Sequence, residues 1–250
     1  MITKLQVKYI QSLGQKKFRD EEAVFIAEGP KIINELLGDA ASKPEAIYAT
    51  REWIEEDMPA VKATDPYNVI EIEQSDLERA SFLQAPNRVL GLFKKPVYAN
   101  LDFTHTVSLM LDGIQDPGNL GTIIRIADWF GITNIACSKD CADAFAPKVV
   151  QATMGSIARV KLIYTDLVEL VNQMPSIPLY AATLNGDSIR NRQPVREGIL
   201  VIGNESKGVS TALLTYCQHR ITIPRIGSAE SLNAAVATGI ILSHLVKTGG

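Results

Sequence analysis

Three polar, glycine-containing segments hold the side chains whose types and spacing suit catalysis. They cover residues 112–125, 203–208 and 223–235, and each follows an apolar run. Their candidate catalytic side chains are a mixture of amide, guanidinium, carboxylate and hydroxyl groups: Asn119, Arg125, Glu205, Ser231 and Asn233. Such groups can bind an anion, orient a hydroxyl or move a proton. If the apolar runs are strands, the segments stand where open α/β sheets place their ligands.

The residues Asp116-Pro-Gly-Asn119 predict a turn that leads directly into a helix from Leu120 to Phe130. Arg125 interrupts the otherwise apolar pattern of this helix six residues after Asn119, so both side chains can lie near the same end of the helix. A guanidinium in that setting needs a partner, and a phosphate or carboxylate matches its fork geometry. The alternative is an ion pair with an aspartate of the same chain. For Ser231 and Asn233 the alternative to a catalytic role is that one of them caps the following helix.

Several common kinds of site are absent from the sequence. It contains no GxGxxG, no GxxxxGK[ST] and no GxSxG pattern, which disfavours conventional dinucleotide, P-loop and serine-hydrolase sites. The three histidines are scattered, and Cys137, Cys141 and Cys217 form no CxxC pair. We therefore expect reduced cysteines and no metal site.

The elements that position these segments alternate between strand and helix patterns. Continuous apolar runs predict parallel strands covered on both faces at 107–111, 132–137, 160–164, 179–183, 199–202 and 221–223. A shorter alternation in residues 1–98 predicts a small α/β domain, and the mixed polarity of 99–105 predicts a linker. The sequence thus predicts an α/β fold with a second, parallel-sheet domain over 106–250.

The charge distribution limits the mode of nucleic-acid binding. The net charge of −3 argues against binding by bulk electrostatics. The first nineteen residues nevertheless contain no acid and several basic side chains: Lys4, Lys8, Lys16, Lys17 and Arg19. They predict a local RNA-phosphate contact, with a solvated helix face as the alternative. No apolar run reaches the roughly 18 residues of a membrane span and no signal core is visible, so a cytoplasmic protein is expected.

The order and spacing of the three segments resemble the SpoU (TrmH-like) RNA 2′-O-ribose methyltransferases of the SPOUT, or α/β-knot, class. The resemblance covers about residues 106–247 and is carried by Asp116-Pro-Gly-Asn119-Leu-Gly121, Gly203-Asn-Glu205-Ser-Lys-Gly208 and Ser231-Leu232-Asn233. Weaker marks at 25–31 and 88–91 resemble the substrate-binding domain often fused to these enzymes. That domain is similar to an RNA-binding ribosomal-protein fold.

The resemblance implies a deep C-terminal trefoil knot, a homodimer with its active site at the subunit interface, and methyl transfer from S-adenosylmethionine. The implied substrate is structured RNA, with rRNA favoured over tRNA. Asn119 and Arg125 match the family's catalytic positions, and Glu205, Ser231 and Asn233 match its other polar positions. Cofactor contacts are implied at Thr183, Leu184, Asn185, Gly186, Gly203, Ile223, Pro224 and Leu232.

The resemblance leaves two questions open. Arg125 either takes the hydroxyl proton, once a phosphate or a desolvated interface has perturbed it, or clamps the phosphate beside that hydroxyl. In addition, Gln151 and Thr153 stand where many relatives have Arg and Ser, which is expected to weaken an RNA contact there.

Two other functions are alternatives to methyl transfer: a non-catalytic RNA-binding or assembly factor, and an unrelated nucleotide-binding α/β enzyme. The intact set of candidate catalytic side chains argues against the first, and the missing phosphate loops argue against the second.

Overall fold

The computed structural model describes residues 2–56, 68–98 and 101–247. The chain forms two compact units: unit 1 contains residues 1–97 and 143–158, and unit 2 contains residues 98–142 and 159–250. The segment 143–158 therefore packs with unit 1, whereas the sequence predicts it within the second domain. Part of the predicted linker lies outside the described residues, and Phe103 from its remainder is buried in the core of unit 2. No helix of the described residues is long and apolar enough to span a membrane.

The strands are β1 (Val24–Glu28), β2 (Pro44–Ala49), β3 (Val69–Glu71), β4 (Val89–Lys94), β5 (Val107–Asp112), β6 (Asn134–Cys137), β7 (Lys161–Tyr164), β8 (Leu179–Ser188), β9 (Gly198–Gly203) and β10 (His219–Thr222). The α-helices, numbered over the described residues, are α1 (Lys4–Ser12), α2 (Lys16–Glu22), α3 (Pro30–Gly38), α4 (Arg51–Glu56), α5 (Gln74–Ala80), α6 (Pro117–Trp129), α7 (Pro147–Thr153), α8 (Leu167–Asn172), α9 (Thr211–Leu214) and α10 (Ala234–Leu245).

Unit 1 is built on a sheet of strand order β1-β4-β2-β3. β4 pairs antiparallel with β1 and β2, and β2 pairs parallel with β3. Side chains of β1 alternate between the two faces of this sheet, and both faces are covered. Val24 and Ile26 pack in the cluster that includes α1, while Phe25 stacks on Phe93 at 5.8 Å and tilts against Phe145 at 5.0 Å between ring centroids.

Glu28 ends β1 as a buried carboxylate. Its side chain accepts hydrogen bonds from the Ser81 hydroxyl and from the Phe82 N–H, which fixes the turn after α5 against β1. Burial raises the pKa of Glu28, and the two hydrogen bonds to the charged form oppose that shift. The carboxylate therefore has a structural position inside unit 1.

Arg19 is a buried residue, which corrects its expected role in contacting RNA. Its side chain is 2% exposed and lies 2.5 Å from Asp143 Oδ2 through Nη2, while Nη1 donates to the Leu13 carbonyl. The other four predicted RNA contacts are on the surface of α1 and α2: Lys4, Lys8, Lys16 and Lys17. The Arg19–Asp143 pair joins α2 to the segment 143–158.

Unit 2 contains a six-stranded sheet of order β10-β8-β9-β5-β6-β7, in which every adjacent pair is parallel. The predicted parallel α/β architecture is confirmed. From β5 the chain continues to β6 on one side, and from β9 it continues towards β10 on the other. The loops after β5 and β9 therefore flank the point where the strand order reverses, which is the preferred ligand crevice of such sheets.

The pairing of β8 with β10 is interrupted, which the sequence does not predict. Ala181 pairs with Arg220, but the next residue of β10, Ile221, pairs with Asp187. Residues 182–186 are consequently looped out of the ladder and project from the strand. The sequence predicts a strand that ends at 183, whereas the structure returns to β pairing beyond the bulge.

We expect Arg19→Ala to lower the free energy of unfolding by about 3–5 kcal/mol, because it leaves the Asp143 carboxylate buried without its partner. Urea unfolding at pH 7 measures the loss. Lys17→Ala is the matched control on the same helix, since Lys17 is 73% exposed and lies 3.8 Å from Glu21. It should cost less than about 1 kcal/mol, and an equal effect of the two variants would contradict the assignment.

Candidate active site

The first segment turns directly into α6. The Asp116 side chain caps this helix by accepting the Asn119 N–H at 2.8 Å, and Pro117 occupies its first turn. The helix therefore begins three residues before the predicted Leu120. Asn119 lies inside its first turn, so the direction of its side chain is set by helical backbone geometry.

The second segment is a closed loop after β9. The Asn204 N–H donates to the Gly208 carbonyl at 3.0 Å, and the Gly208 N–H donates back at 2.8 Å. A Cβ atom on Gly203 would lie 2.1 Å from the Gly208 backbone, so only glycine permits this approach. Glu205 stands at the exposed tip of the loop.

Asn119 joins the three segments. Its Nδ2 donates to Glu205 Oε1 at 2.7 Å, and its Oδ1 accepts from Asn233 Nδ2 at 2.7 Å. Asn233 in turn caps α10, because its Oδ1 accepts the N–H groups of Ala235 and Val236. The result is a directed chain of hydrogen bonds from a helix N-terminus to one carboxylate, in which each amide has one possible orientation.

Ser231 and Arg125 are not joined to this network. Ser231 is exposed, and it makes no hydrogen bond within the described part of the chain. Arg125 is also exposed on α6. The expected intramolecular alternative for Arg125 is not seen: Asp128, one turn away, pairs with Arg159 at 2.7 Å, and no carboxylate of the described residues pairs with Arg125. Its guanidinium charge faces solvent.

The residues predicted to contact a cofactor lie on loops that leave neighbouring strands at one edge of the sheet. The bulge of β8 contains Thr183, Leu184, Asn185 and Gly186, and Leu184 is 72% exposed. The Thr222 hydroxyl, at the end of β10, donates to the Leu184 carbonyl at 3.2 Å. Ile223, Pro224 and the half-exposed Leu232 follow β10, and Gly203 ends β9.

The Cys141 thiol forms hydrogen bonds with the backbone at the start of the first segment. Cys141 Sγ accepts the Ile114 N–H at 3.3 Å and donates to the Leu111 carbonyl at 3.3 Å. A hydrogen bond from the Cys137 thiol, with further ones from Ser138 and from backbone N–H groups, lowers the pKa of Cys141 to about 7. All three cysteines are free, and the described residues contain no group of three or more His, Cys, Asp or Glu arranged to hold a metal ion.

Sequence reasoning missed three polar residues that shape the site. Asp116 caps α6, Asp112 Oδ2 accepts the Ser210 N–H at 2.7 Å, and Asn204 connects the loops after β5 and β9. The sequence could have indicated only Asp116 and Asn204. Asp before Pro predicts a helix cap, and Asn in a glycine-containing loop predicts a turn closed by its side chain.

Two family models match the chain. The SpoU rRNA Methylase family matches residues 106–243, and the MRM3-like substrate binding domain matches residues 4–91. Among curated proteins, the Bacillus subtilis 23S rRNA (guanosine(2553)-2′-O)-methyltransferase RlmP is 28% identical, and the match covers 96% of this chain and 95% of that protein. The Mus musculus mitochondrial rRNA methyltransferase 3 is 27% identical over 91% of this chain and 68% of its own length.

Solved structures agree with these matches. A TrmH-family structure from Porphyromonas gingivalis is 36% identical, covers 98% of both chains and superposes with a TM-score of 0.86. An AdoMet-bound rRNA methyltransferase from Sinorhizobium meliloti is 30% identical, with a TM-score of 0.84 over 98% of this chain and 95% of that one.

We expect Asn233→Ala to cost more stability than the loss of a helix cap alone. The control is Asp166→Ala, because Asp166 caps α8 by accepting two N–H groups in the same way but makes no contact with Asn119. Each variant should lose about 1 kcal/mol from the cap, and Asn233→Ala about 1 kcal/mol more from the bond to Asn119. Urea unfolding of both variants, with and without Asn119→Ala, measures this. An extra loss that persists without the Asn119 side chain would refute the network.

Proposed function

The chain belongs to the SpoU rRNA methylase family, and we propose that it transfers a methyl group from S-adenosylmethionine to a ribose 2′-OH of structured RNA. The observation that carries this proposal is the hydrogen-bonded chain Asn233–Asn119–Glu205, which draws the three polar segments to one point. The relatives in the comparisons are methyltransferases of this family, so both the fold and the chemistry of the site support the same activity.

The loops after β8, β9 and β10 suit this cofactor. They leave adjacent parallel strands at the same edge, and they offer backbone donors and acceptors beside exposed apolar side chains, Leu184 at 72% and Leu232 at 49%. We assign the cofactor contacts to Thr183, Leu184, Asn185, Gly186, Gly203, Ile223, Pro224 and Leu232. When bound, S-adenosylmethionine supplies an electrophilic methyl group, so the protein has mainly to align the acceptor.

We assign the acceptor chemistry to Glu205 and Arg125. A ribose hydroxyl becomes a good nucleophile only as its proton leaves. Glu205 is an exposed residue that Asn119 orients through Oε1, and its other oxygen, Oε2, can accept that proton. Arg125 offers a planar guanidinium whose fork geometry matches a phosphate, and its exposure suits binding of the phosphate next to the acceptor hydroxyl. These features support the role of Arg125 as a phosphate clamp over its role as a base. We assign Ser231 as a polar contact near the acceptor hydroxyl.

We assign RNA binding to unit 1 and favour rRNA as the substrate. The substrate-binding family model covers residues 4–91, which include the exposed lysines Lys4, Lys8, Lys16 and Lys17. RlmP, which matches this chain over nearly its full length, acts on a guanosine of 23S rRNA, so large-subunit rRNA is the first substrate to test. We propose that this unit has the ribosomal-protein-like fold. We also propose that the functional domains are 1–98 and 106–250 with the linker 99–105 between them, although residues 143–158 of the second domain pack with unit 1 and Phe103 of the linker packs in unit 2.

We further propose a cytoplasmic homodimer with a knotted C-terminal domain. Trp129 is 85% exposed on α6, one turn beyond Arg125, and Val236 is 51% exposed on α10, which packs against α6. Tryptophan is enriched at protein interfaces and among their hot spots, so the exposed Trp129 supports an association surface on α6. A second copy seated there would bury Trp129 close to Arg125. The knot is supported by the resemblance to the SpoU family, whose model matches residues 106–243.

The wild-type protein should transfer radioactive methyl groups from S-adenosylmethionine to rRNA, and Arg125→Ala should lower kcat on the order of 10²–10³-fold, because the phosphate loses its cation. Calorimetry should show unchanged affinity for S-adenosylmethionine, and Arg125→Lys should recover part of the rate. Mapping of 2′-O-methylated nucleotides identifies the product.

The matched control for this experiment is Arg196→Ala. Arg196 is exposed but lies near Val107, at the opposite end of β5 from the site. It should keep the wild-type rate. A wild-type protein that binds no S-adenosylmethionine and methylates no RNA would instead favour the non-catalytic RNA-binding factor, and full activity of Arg125→Ala would remove Arg125 from the mechanism.

We expect Trp129→Asp to weaken dimerisation by about 30-fold or more, as loss of a central tryptophan typically costs 2 kcal/mol or more. Light scattering across a micromolar dilution series measures the dissociation. Leu5→Asp is the control, because Leu5 is a similarly exposed apolar residue, at 78%, in unit 1. A wild-type protein that is monomeric at these concentrations would refute the dimer.

A further inference from the structure

We propose that Asn204 is a positioning residue for methyl transfer. It holds the loop 203–208, which contains Glu205, against the loop after β5. This inference rests on the proposed function of Glu205. Asn204 lies next to Glu205 and makes no contact with Asn119 or Asn233 among the described residues. Its role is therefore distinct from the hydrogen-bonded chain that those three residues form.

Every polar group of Asn204 is used. Its side-chain Oδ1 accepts the N–H groups of Ser206 and Lys207 at 3.0 and 3.1 Å, which turns the chain sharply just after Glu205. Its Nδ2 donates to the Gly113 carbonyl at 2.7 Å. The backbone N–H and carbonyl form the two bonds to Gly208. One side chain thus sets the shape of its own loop and fixes it to a second loop.

The partner loop is itself held for this contact. Gly113 has a positive φ of 73°, and a Cβ atom there would lie 3.3 Å from Asp140 Oδ2 and 3.5 Å from the Asn204 Cβ. The Gly113 N–H donates to the Ser138 hydroxyl at 2.8 Å. A second hydrogen bond joins the same two loops. The Ser210 N–H, which follows the turn 204–208, donates to Asp112 Oδ2 at 2.7 Å. The position of Glu205 is therefore fixed from the β5 loop as well as from Asn119.

The two hydrogen-bond roles of Asn204 can be separated by a change of charge. Asn204→Asp keeps an oxygen for the Ser206 and Lys207 N–H groups, but at pH 8 it places a carboxylate oxygen against the Gly113 carbonyl. When that introduced carboxyl is protonated, its O–H can donate to Gly113 and restores the amide's pattern. The rate of this variant relative to wild type at the same pH therefore reports the bond to Gly113.

At pH 8 we expect Asn204→Asp to lower kcat about 10-fold, with the KM for RNA and the affinity for S-adenosylmethionine changed less than about 2-fold, because one directed bond of about 1.4 kcal/mol is lost. The ratio of its kcat to the wild-type kcat should rise as the pH is lowered from 8 to 5, because the protonated fraction of a carboxyl whose ordinary pKa is about 3.9 increases over this range. Asn172→Asp makes the same exchange on the exposed end of α8 and should keep the wild-type rate at both pH values.

Two further measurements separate positioning from folding. Asn204→Ala should lower kcat in the wild-type background but not in the Glu205→Ala background, since Asn204 acts through Glu205. Amide hydrogen exchange should show Ser206 and Lys207 protected in Asn204→Asp and unprotected in Asn204→Ala, which does not require activity. Equal kcat for wild type and both variants, additive losses in the double variant, or loss of cooperative melting in both variants would overturn the proposal. A wild-type protein without methyl transfer would overturn the proposed function, whereas the exchange data would still test the contacts of the Asn204 side chain with the Ser206 and Lys207 N–H groups.

Discussion

The side-chain amide of Asn119 is the contact on which the site depends. It donates to Glu205 and accepts from Asn233, which are 86 and 114 positions away in the sequence. An amide offers a donor and an acceptor at fixed positions, whereas an aspartate at this position would offer only acceptors and would repel the Glu205 carboxylate. Each bond contributes on the order of 1 kcal/mol, so the amide does not hold the fold together. It determines which side chains meet.

The stability that allows this arrangement comes from elsewhere. The central strands β9, β5 and β6 of unit 2 are buried along almost their whole length, and apolar burial of this kind is the main favourable term in folding. Because all six strands run in the same direction, their carboxyl ends share one edge. The loops at that edge can therefore carry glycine, bulges and exposed polar groups without weakening the core. The buried strands thus supply the stability, and the loops at their carboxyl ends supply the polar groups of the site.

The sequence predicts this sheet well because continuous apolar runs depend only on neighbouring residues. It also predicts that the polar segments stand at strand ends, since that follows from the alternation of strands and helices. It fails where the outcome depends on distant partners. Arg19 is a basic residue among the surface lysines, and its burial depends on the ion pair with Asp143, 124 positions away, as well as on the Leu13 carbonyl. The bulge of β8 depends likewise on the path of β10.

The predicted start of α6 is wrong for a local reason and not because of a distant partner. The helix after the first segment begins at Pro117 because the Asp116 carboxylate satisfies an N–H group of its first turn. The sequence contains this signal, but it conflicts with the interpretation of Asp-Pro-Gly-Asn as a turn, since the same residues favour both structures. Tertiary contacts of Asn119 with Glu205 and Asn233 favour the helix. The same amide that unites the site therefore also helps to set the start of the helix that presents it.

The internal ion pair of Arg19 changes what the negative net charge implies for RNA binding. The excess of acid lies within residues 1–98, where 16 acidic residues oppose 13 basic ones. Arg19 is counted among those basic groups, yet its charge is neutralised internally by Asp143. The exposed cations that remain near the N-terminus are few and are carried on two short helices. RNA binding that relies on them gains little from long-range attraction, so the proposed recognition depends on the shape of the RNA and on the phosphate contact that we assign to Arg125.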